Sequence, residues 1–449
     1  MMQYIIMAAQ LLTGLSLLVF VHELGHFLAA KMFGIRVTKF YIFFDAWGKK
    51  LFSKQIGETE YGFGWLPLGG YVQIAGMVDE TQDSSKLSAT PESWEFRSKP
   101  AWQRLIVMLG GIIMNIITGL IIFFFYLHQF EKSYTPVAEI NKDGIFAHKL
   151  AQKIGFETGD KIMSVNGETP VRFEDVLSTK TILGGTITVE RQGQMKTVQI
   201  PDDFYKELAT GQKFIEPMHQ EIFVEEVAKG AGAEKAGMKA GDKIVAIDSV
   251  KVERFSGLQE LLCRKSNQKS IVSVERNQQI TNLEAQIDSS GKLGFVPKFK
   301  LPYKEQNYTW ANALQYSWVE GREAIMTQVV GLRKMFSGKI KATESISSPI
   351  GIAKVYGGTW DWGRFWRLTA TISFVLAFMN LLPIPALDGG HILFLMPELL
   401  FRRKLSEAFL EKAQVAGMIL LLGLMVFAFG NDIYKGVTGK NNITQVKPC

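Results

Sequence analysis

Long runs of apolar residues divide the chain into membrane-like and soluble parts. Runs of spanning length lie at residues 4–31, 105–128, 368–396 and 414–430, and a transmembrane helix needs about 17 to 25 such residues. The stretch between the second and third runs has the mixed composition of a soluble protein. The first run lacks the basic start and small-residue cleavage site of a signal peptide. The pattern therefore predicts four transmembrane helices with a soluble insert in the middle.

The basic residues fall on one side of these predicted spans. They follow the first span, precede the second and separate the third from the fourth, at Lys31, Arg36, Lys39, Lys49, Lys50, Lys54, Lys99, Arg104, Arg402, Arg403 and Lys404. Because cytoplasmic loops carry an excess of Lys and Arg, we expect these loops in the cytoplasm. Both termini and the soluble insert then lie on the opposite side, which is the periplasm in a bacterium. The net charge of +7 follows from this bias, and no basic and aromatic stripe suggests a nucleic-acid partner.

The soluble insert contains an internal repeat. Residues 155–170, GFETGDKIMSVNGETP, align with residues 237–252, GMKAGDKIVAIDSVKV, at an offset of 82 positions. Each copy predicts a helical segment, a Gly-rich turn, an alternating strand and a second tight turn, at Asn166-Gly167 and at Asp248-Ser249. A self-match of this length indicates two copies of one structural unit.

The two copies resemble the tandem PDZ domains of bacterial proteases, which carry Ala-x-x-x-Gly-x-x-x-Gly-Asp-x-Ile before the strand. Ala233, Gly237, Gly241 and Asp242 fit this pattern in the second copy. The resemblance implies two inserted α+β domains, at residues 129–212 and 213–300. PDZ domains bind peptides by adding a strand to a sheet edge, so periplasmic peptide or substrate segments are expected partners. A spacer without a ligand is the alternative.

Three ionisable residues interrupt the first apolar run. The segment VFVHELGHFLAAKMFG, residues 19–34, places His22 and His26 four residues apart, hence on one face of a helix, with Glu23 beside them. This is the His-Glu-x-x-His arrangement of zinc hydrolases, in which two imidazoles bind Zn²⁺ and the carboxylate accepts a proton from a water molecule. Burying ionisable groups in hydrocarbon costs free energy, so they are rare in membrane helices unless they have a function. The motif predicts a zinc site.

A catalytic zinc site usually has three protein ligands. Ala29 and Met32 occupy the positions where a metzincin extension has Gly and His, which excludes that subclass. The segment NLLPIPALDGGHILF, residues 380–394, supplies another ionisable cluster in the third span. Asp388 is the favoured third ligand, His391 is a competitor of suitable chemistry, and a helix-end cap is the structural alternative for Asp388.

Two further segments have distinctive patterns. Residues 57–76 alternate and carry several Gly residues, which predicts a β-ribbon rather than a helix. An exposed strand there would hold an unwound substrate by main-chain pairing, whereas a closed hairpin would be purely structural. Residues 307–336 are amphipathic with Trp and Tyr at one end, which predicts a helix lying on the membrane surface or against a span, not a fifth crossing.

Taken together, these motifs resemble the bacterial site-2 proteases, particularly the regulator of sigma-E protease subfamily. The likeness rests on HELGH in the first span, Asn-x-x-Pro-x-Pro-x-Leu-Asp-Gly-Gly in a later one, and the tandem PDZ units between them. It implies a polytopic α-helical membrane protein of the bacterial inner membrane with four transmembrane helices, a membrane-associated β-loop and two inserted PDZ domains. Residues 1–128 form the N-terminal membrane part with the β-loop at about 36–76, residues 301–365 an amphipathic connector, and residues 366–449 the C-terminal membrane part.

The resemblance also implies roles for particular residues. It makes His22, His26 and Asp388 the Zn²⁺ ligands and Glu23 the general base. It also implies, from less specific motifs, that substrate is bound by Asn380, Pro383, Pro385, Gly69, Gly70 and Tyr71. Residues 110–115, GGIIMN, match the family's Gly-x-x-x-Asn element, for which helix packing is a sufficient explanation. Phe43-Phe44-Asp45 stands where many relatives carry Gly-Phe-Gly.

The implied function is intramembrane proteolysis near the cytoplasmic side of the membrane. Expected substrates are single-pass membrane proteins, such as a trimmed anti-sigma factor in a sigma-E stress response or remnant signal peptides, and a cytoplasmic fragment is released. The alternatives are a catalytically inactive, membrane-anchored PDZ scaffold and a metal transporter, for which intramembrane His and Asp are also natural. Cys263 and Cys449 are the only cysteines, which excludes a thiolate metal site and favours two unpaired thiols over the one possible bridge.

Overall fold

A computed structural model describes residues 2–437 except 68, 78–89, 131–132, 210–211, 301–302, 307, 342 and 344–347. The chain divides into two compact units. The first contains residues up to Glu131 and from Tyr308 to Thr438, and the second contains Lys132–Asn307. The two units therefore match the division between membrane-like and soluble sequence.

The helices of the described residues are numbered in chain order. They are α1 (Met2–Met32), α2 (Ala101–Gln129), α3 (Val137–Asp143), α4 (Lys149–Lys153), α5 (Phe173–Val176), α6 (Thr179–Ile182), α7 (Phe204–Ala209), α8 (Gly232–Lys235), α9 (Phe255–Arg264), α10 (Trp310–Phe336), α11 (Pro349–Tyr356), α12 (Trp362–Leu381), α13 (Asp388–Phe401) and α14 (Glu407–Val437).

The strands are numbered in the same way. They are β1 (Val37–Ile42), β2 (Lys50–Ile56), β3 (Thr59–Gly64), β4 (Tyr71–Ile74), β5 (Ser133–Tyr134), β6 (Ile145–Ala147), β7 (Lys161–Val165), β8 (Thr186–Arg191), β9 (Gln194–Gln199), β10 (Ile215–Pro217), β11 (Glu221–Val227), β12 (Lys243–Ile247), β13 (Val250–Lys251), β14 (Lys269–Arg276), β15 (Gln279–Gln286), β16 (Phe295–Lys300) and β17 (Lys304–Glu305).

Three helices of the described residues are long and apolar enough to cross a membrane: Met2–Met32, Ala101–Gln129 and Ala408–Tyr434. They coincide with the first, second and fourth predicted spans. The third predicted span, residues 368–396, is not one helix. It divides into α12 and α13 at residues 382–387, because Pro383 and Pro385 each lack the backbone N–H that a continuing helix needs.

Small residues allow close helix packing in the first unit. A Cβ atom added to Gly25 of α1 would lie 2.2 Å from the Gly110 carbonyl oxygen of α2, so both backbones meet where neither residue has a side chain. The Phe374 ring of α12 lies against Gly119 of α2 and Gly321 of α10, whose added Cβ atoms would come within 2.6 and 2.3 Å of it. The predicted amphipathic helix is thus α10, which abuts the spans.

The predicted β-ribbon is part of a four-stranded sheet with the order β2-β3-β1-β4. Strands β2 and β3 form an antiparallel hairpin, while β1 pairs with β3 in parallel and with β4 in antiparallel orientation. Strand β4 therefore lies at one edge of the sheet. Phe43 adopts a left-handed φ of 67°, which is the conformation that glycine favours.

The second unit contains two lobes, each with its own core. The core of the first lobe runs from Val137 to Ile215, and the core of the second runs from Ile222 to Leu293. The first lobe has the sheet β7-β8-β9 and the pair β10-β6, and the second has β15-β14-β12-β11-β16. Phe214 and Ile215 belong to the first core, although they follow the predicted domain boundary at 212/213.

The sequence repeat corresponds to a repeated buried ion pair. Asp160 accepts hydrogen bonds from Arg191 Nε and Nη2, both at 2.7 Å, and Asp242 accepts the same two from Arg276 at 2.6 and 2.7 Å. In both lobes the arginine also donates to a glycine carbonyl of the preceding turn. The predicted strands KIMSV and KIVAI are β7 and β12, and both following turns have a positive φ at each central residue.

We expect Asp242→Ala to destabilise the second lobe by about 2 kcal/mol, because it removes the buried carboxylate that accepts hydrogen bonds from Arg276 and from the Lys239 N–H. Burial alone would raise the pKa of Asp242, but Arg276 and the Lys239 N–H together lower it. A lowered pKa in the folded state means that this stabilisation is present above the unfolded-state pKa of about 3.9 and is lost as the pH falls further. We expect both the substitution and the lower pH to give faster amide hydrogen exchange in β12 and β14 of the full-length protein.

The matched control is Glu284→Ala, since Glu284 forms an exposed pair with Lys269 at 3.3 Å and such pairs contribute between about 0 and 1 kcal/mol. Equal exchange rates in the Asp242 and Glu284 variants would contradict the prediction.

The prediction of unpaired thiols is wrong for Cys263, which is disulfide-bonded. Cys449 lies outside the described residues.

Candidate active site

The two predicted histidine ligands lie on one face of α1. The helix continues through HELGH without interruption, so positions 22 and 26 are one turn apart. Their Nε2 atoms are 3.2 Å apart, and their rings meet edge to face at 4.8 Å. His26 is buried. Both imidazoles therefore present the same nitrogen to one point.

Asp388 reaches that point from the break in the third predicted span. It is the first residue of α13, immediately after residues 382–387. Gly389 and Gly390 follow it. A Cβ atom added to Gly389 would lie 2.1 Å from the Leu382 carbonyl oxygen, and one added to Gly390 would lie 2.6 Å from the Ile384 carbonyl oxygen. The two prolines and two glycines thus fold the chain back tightly enough to aim Asp388 at α1.

The three donor atoms form a nearly equilateral triangle. Asp388 Oδ2 lies 3.2 Å from His22 Nε2 and 3.4 Å from His26 Nε2. Ligands at about 2.0–2.1 Å from a tetrahedral Zn²⁺ are separated by about 3.3 Å. Asp388 Oδ2 is buried and has no hydrogen-bond partner, which is costly unless a cation binds it. Two imidazoles and one carboxylate in this arrangement fit a catalytic zinc ion with one open position.

Of the two candidate third ligands, Asp388 is the one that forms this cluster among the described residues. His391 lies one turn further along α13, where its Nε2 is 3.4 Å from Gln414 Nε2 of α14. Gln414 also accepts a hydrogen bond from the Ala386 N–H through Oε1. Gly417, one turn along α14, leaves room for Pro385, whose carbonyl oxygen would be 2.0 Å from an added Cβ. The last span therefore supports the loop that carries Asp388.

Glu23 lies between the histidine pair and the β-sheet. Its carboxylate accepts a hydrogen bond from the backbone N–H of Val72 in β4. Gly70 lies close by, since a Cβ atom there would be 2.7 Å from Val19 Cγ1 and 3.5 Å from Glu23 Cγ. The start of β4 thus holds the carboxylate beside the metal ligands, where it can serve as a base.

A cavity of about 360 Å³ opens onto this cluster. Among its lining residues are the three candidate ligands, Glu23 and four of the predicted substrate-binding residues, namely Asn380, Gly69, Gly70 and Tyr71. Asn380 Nδ2 lies 3.3 Å from His22 Nε2. Pro383 and Pro385 do not line the cavity, and their place in the structure is the turn before Asp388. Their contact with substrate remains a prediction.

Phe44 and Tyr71, which line the cavity, belong to an aromatic stack. The ring of Tyr71 stacks between those of Tyr41 and Phe44, with centroids 5.4 and 6.0 Å apart. The Tyr71 hydroxyl donates to Asp45 Oδ1 at 2.9 Å, and burial together with this carboxylate raises the pKa of Tyr71. Asp45 therefore holds in place a residue that lines the site.

Sequence reasoning did not find the contribution of α2. The Val107 carbonyl oxygen lies 2.8 Å from His26 Nδ1, and Asn115 Nδ2 lies 3.2 Å from His22 Nδ1. Between them, Gly111 has no room for a side chain, because an added Cβ would lie 2.5 Å from His26 Nε2. The only signal in the sequence was GGIIMN, which packing between helices also explains.

The comparison with known families decides which family this chain belongs to. The family model of peptidase family M50 matches residues 10–424, a range that contains HELGH, Asp388 and the whole cavity. The chain belongs to peptidase family M50. The family predicted from the motifs, and the enzyme class with it, are confirmed.

Several named bacterial proteins match almost the full length of the chain. It is 30% identical to "Protease RseP" of Yersinia pestis over 96% of this chain and 99% of that protein. It is 28% identical to "Regulator of sigma E protease" of Haemophilus influenzae, over 94% and 97%. It is 31% identical to "Putative zinc metalloprotease" of Vibrio cholerae, over 93% and 96%. These names agree with the predicted enzyme class and with the predicted zinc cofactor.

Proposed function

We propose that this M50 peptidase is a zinc-dependent intramembrane protease that cleaves the transmembrane segment of single-pass membrane proteins. The observation that carries the proposal is the triangle of His22, His26 and Asp388, with Glu23 beside it, inside an apolar helix of spanning length. Ionisable groups at this depth are rare unless they are functional. The cluster has both the ligand set and the base that peptide hydrolysis requires.

In this proposal His22, His26 and Asp388 hold the ion. Bound zinc polarises the scissile carbonyl and makes water a better nucleophile. The Glu23 carboxylate takes a proton from the attacking water and delivers it to the nitrogen of the leaving amine. The Val72 N–H fixes the orientation of Glu23 for this transfer. The Asn380 amide, which lines the same cavity, donates to the carbonyl oxygen of the substrate as charge develops there.

The substrate must be extended before it is cleaved, because helical hydrogen bonds shield its peptide bonds. Strand β4 supports this requirement, since Tyr71 and Val72 line the cavity and β4 is an edge strand of its sheet. A substrate segment adds to that edge through main-chain hydrogen bonds. Phe44 and Tyr71, which line the cavity, then contact its side chains.

The proposed topology keeps four crossings, with α12 and the broken segment before α13 forming the third. The Lys and Arg distribution orients both termini and the two lobes toward the periplasm. His22 lies about 27 Å along α1 from Tyr4, which is near the cytoplasmic side of the membrane core.

The two lobes act as PDZ domains in this proposal. Strand β16 lies at the end of its sheet and pairs only with β11 among the described strands. The Gly-Lys-Leu-Gly segment at residues 291–294 precedes it, and Phe255 of α9 contacts Phe299 of β16 at 5.1 Å between ring centroids. The open edge beside α9 is where a periplasmic peptide or substrate segment would add a strand.

The lobes further act as a size filter against substrates with bulky outer domains. Anti-sigma factors trimmed by another protease, and remnant signal peptides, have lost such domains and are the proposed substrates. Cleavage of a single-pass model substrate in the presence of zinc, lost on chelation, tests the protease assignment. A zinc-loaded protein that leaves every such substrate intact would overturn it.

We expect deletion of residues 133–300 to allow cleavage of a model substrate that carries a folded outer domain, which the intact protein leaves uncut. Cleavage of the same substrate with a short outer segment should be unchanged and serves as the control for folding. The measurement is the amount of cytoplasmic fragment released from each substrate. The filter hypothesis fails if the deletion variant still cleaves only the short substrate.

A further inference from the structure

The two imidazoles of the site rest on one stripe of α2. Val107, Gly111 and Asn115 are spaced four residues apart and so lie on one helix face. Val107 contacts His26, Gly111 contacts both rings and Asn115 contacts His22. The regular spacing brings one α2 group to the Nδ1 atom of each histidine, on the side of the ring opposite to the converging Nε2 atoms.

The proton position on His26 follows from its partner. A backbone carbonyl only accepts hydrogen bonds, so His26 Nδ1 carries the proton and donates to Val107 at 2.8 Å. The Nε2 lone pair then points at the triangle with His22 and Asp388. A hydrogen bond of this kind at the second nitrogen is what usually orients a histidine ligand.

His22 faces the side-chain amide of Asn115, which can either donate or accept a hydrogen bond. Asn115 is fully buried, its Nδ2 lies 3.2 Å from His22 Nδ1, and its Oδ1 has no hydrogen-bond partner. A half turn of the amide exchanges the two atoms without changing its shape. With Oδ1 toward the ring, the orphaned acceptor is satisfied and His22 Nδ1 carries the proton, which leaves the Nε2 lone pair for a metal.

We propose that Asn115 is a positioning residue that fixes His22 in its metal-binding tautomer through Oδ1. Packing does not require an amide at this position, because an apolar residue of the same size would fill the space without burying an unpaired oxygen. Ser373 donates to the Asn115 carbonyl oxygen at 2.7 Å, which holds this turn of α2 against α12. The assignment rests on the proposed zinc site.

The test compares zinc affinity in Asn115→Leu and Asn115→Asp, measured on the full-length protein in detergent by competition with a chromogenic chelator. Leucine keeps the volume but has no acceptor, so we expect a 10- to 100-fold weaker affinity, the usual cost of losing a hydrogen-bond partner of a ligand. Aspartate keeps an acceptor and should remain within a few-fold of the parent. The absorption spectrum of the cobalt-substituted protein should change in the leucine variant and be restored in the aspartate variant.

Ser373→Ala is the matched control, since it removes the support of the same helix turn and leaves the amide in place, so it should bind zinc like the parent. Leucine and aspartate variants with equal affinities, whether both like the parent or both weakened together with Ser373→Ala, would overturn the role of Asn115. A parent protein that binds no zinc would overturn the proposed site and this inference together. The two failures are therefore distinguishable.

Discussion

Replacing Glu23 with glutamine should reduce cleavage of a transmembrane model substrate by at least about 10²- to 10⁴-fold, the usual contribution of a general base. Glutamine has the size of glutamate and still accepts the hydrogen bond from the Val72 N–H. It does not take a proton from water at neutral pH. His22, His26 and Asp388 are unchanged, so the zinc content of the purified variant should equal that of the parent.

The measurements are the rate of fragment release and the metal content per chain. Glu58→Gln is the matched control, because Glu58 belongs to the same unit but pairs with Lys31 and Arg36 at the surface, at 2.6 and 2.9 Å. That variant should cleave like the parent. Cleavage by the Glu23 variant at the parental rate would contradict the proposed mechanism. Loss of zinc from that variant would show that Glu23 acts as a ligand.

Gly111→Ala should strongly reduce both zinc affinity and cleavage, although it adds only one methyl group far from the HELGH segment in sequence. The added Cβ would lie 2.5 Å from His22 Cε1 and from His26 Nε2, so both imidazoles must move. A displacement of about 1 Å in a catalytic group costs on the order of 10²-fold in rate. We expect the apparent zinc affinity to fall by a similar factor.

Alanine favours a helix over glycine by about 1 kcal/mol, so the loss cannot come from weakening α2 itself. Gly423→Ala in α14 is the control, because a Cβ atom there meets nothing within 4 Å. It should leave zinc content and cleavage unchanged. If Gly111→Ala retained parental zinc affinity, the close contact between α2 and the histidines would be wrong.

Several elements of the site follow from local sequence. Helix periodicity fixes His22, Glu23 and His26 relative to one another, and an apolar run of this length predicts that the segment is a helix. The strands β7 and β12 follow from alternation and from the tight turns after them. The break before Asp388 follows from Pro383 and Pro385, although the pattern of residues 368–396 predicted a single span.

Other elements were beyond the reach of local patterns. Helix α2 is mostly apolar, and packing between helices also explains its one distinctive segment, GGIIMN, so its sequence does not decide which face meets the histidines. Val107 contributes only a backbone carbonyl, and any residue at that position has one. The bond from the Val72 N–H to Glu23 likewise depends on the register of β4 and not on its side chains. These contacts required the packing of separate segments.

The sequence by itself indicated three of the membrane segments, the repeated soluble unit and the chemistry of the site, because these depend on composition and on spacing within one segment. The tertiary structure decided which distant groups complete the site. It brought Asp388 rather than His391 to the two Nε2 atoms, and it set α2 and β4 around them. The physical reason is that ligand geometry depends on distances of a few ångströms between helices, which helix packing fixes and sequence spacing does not.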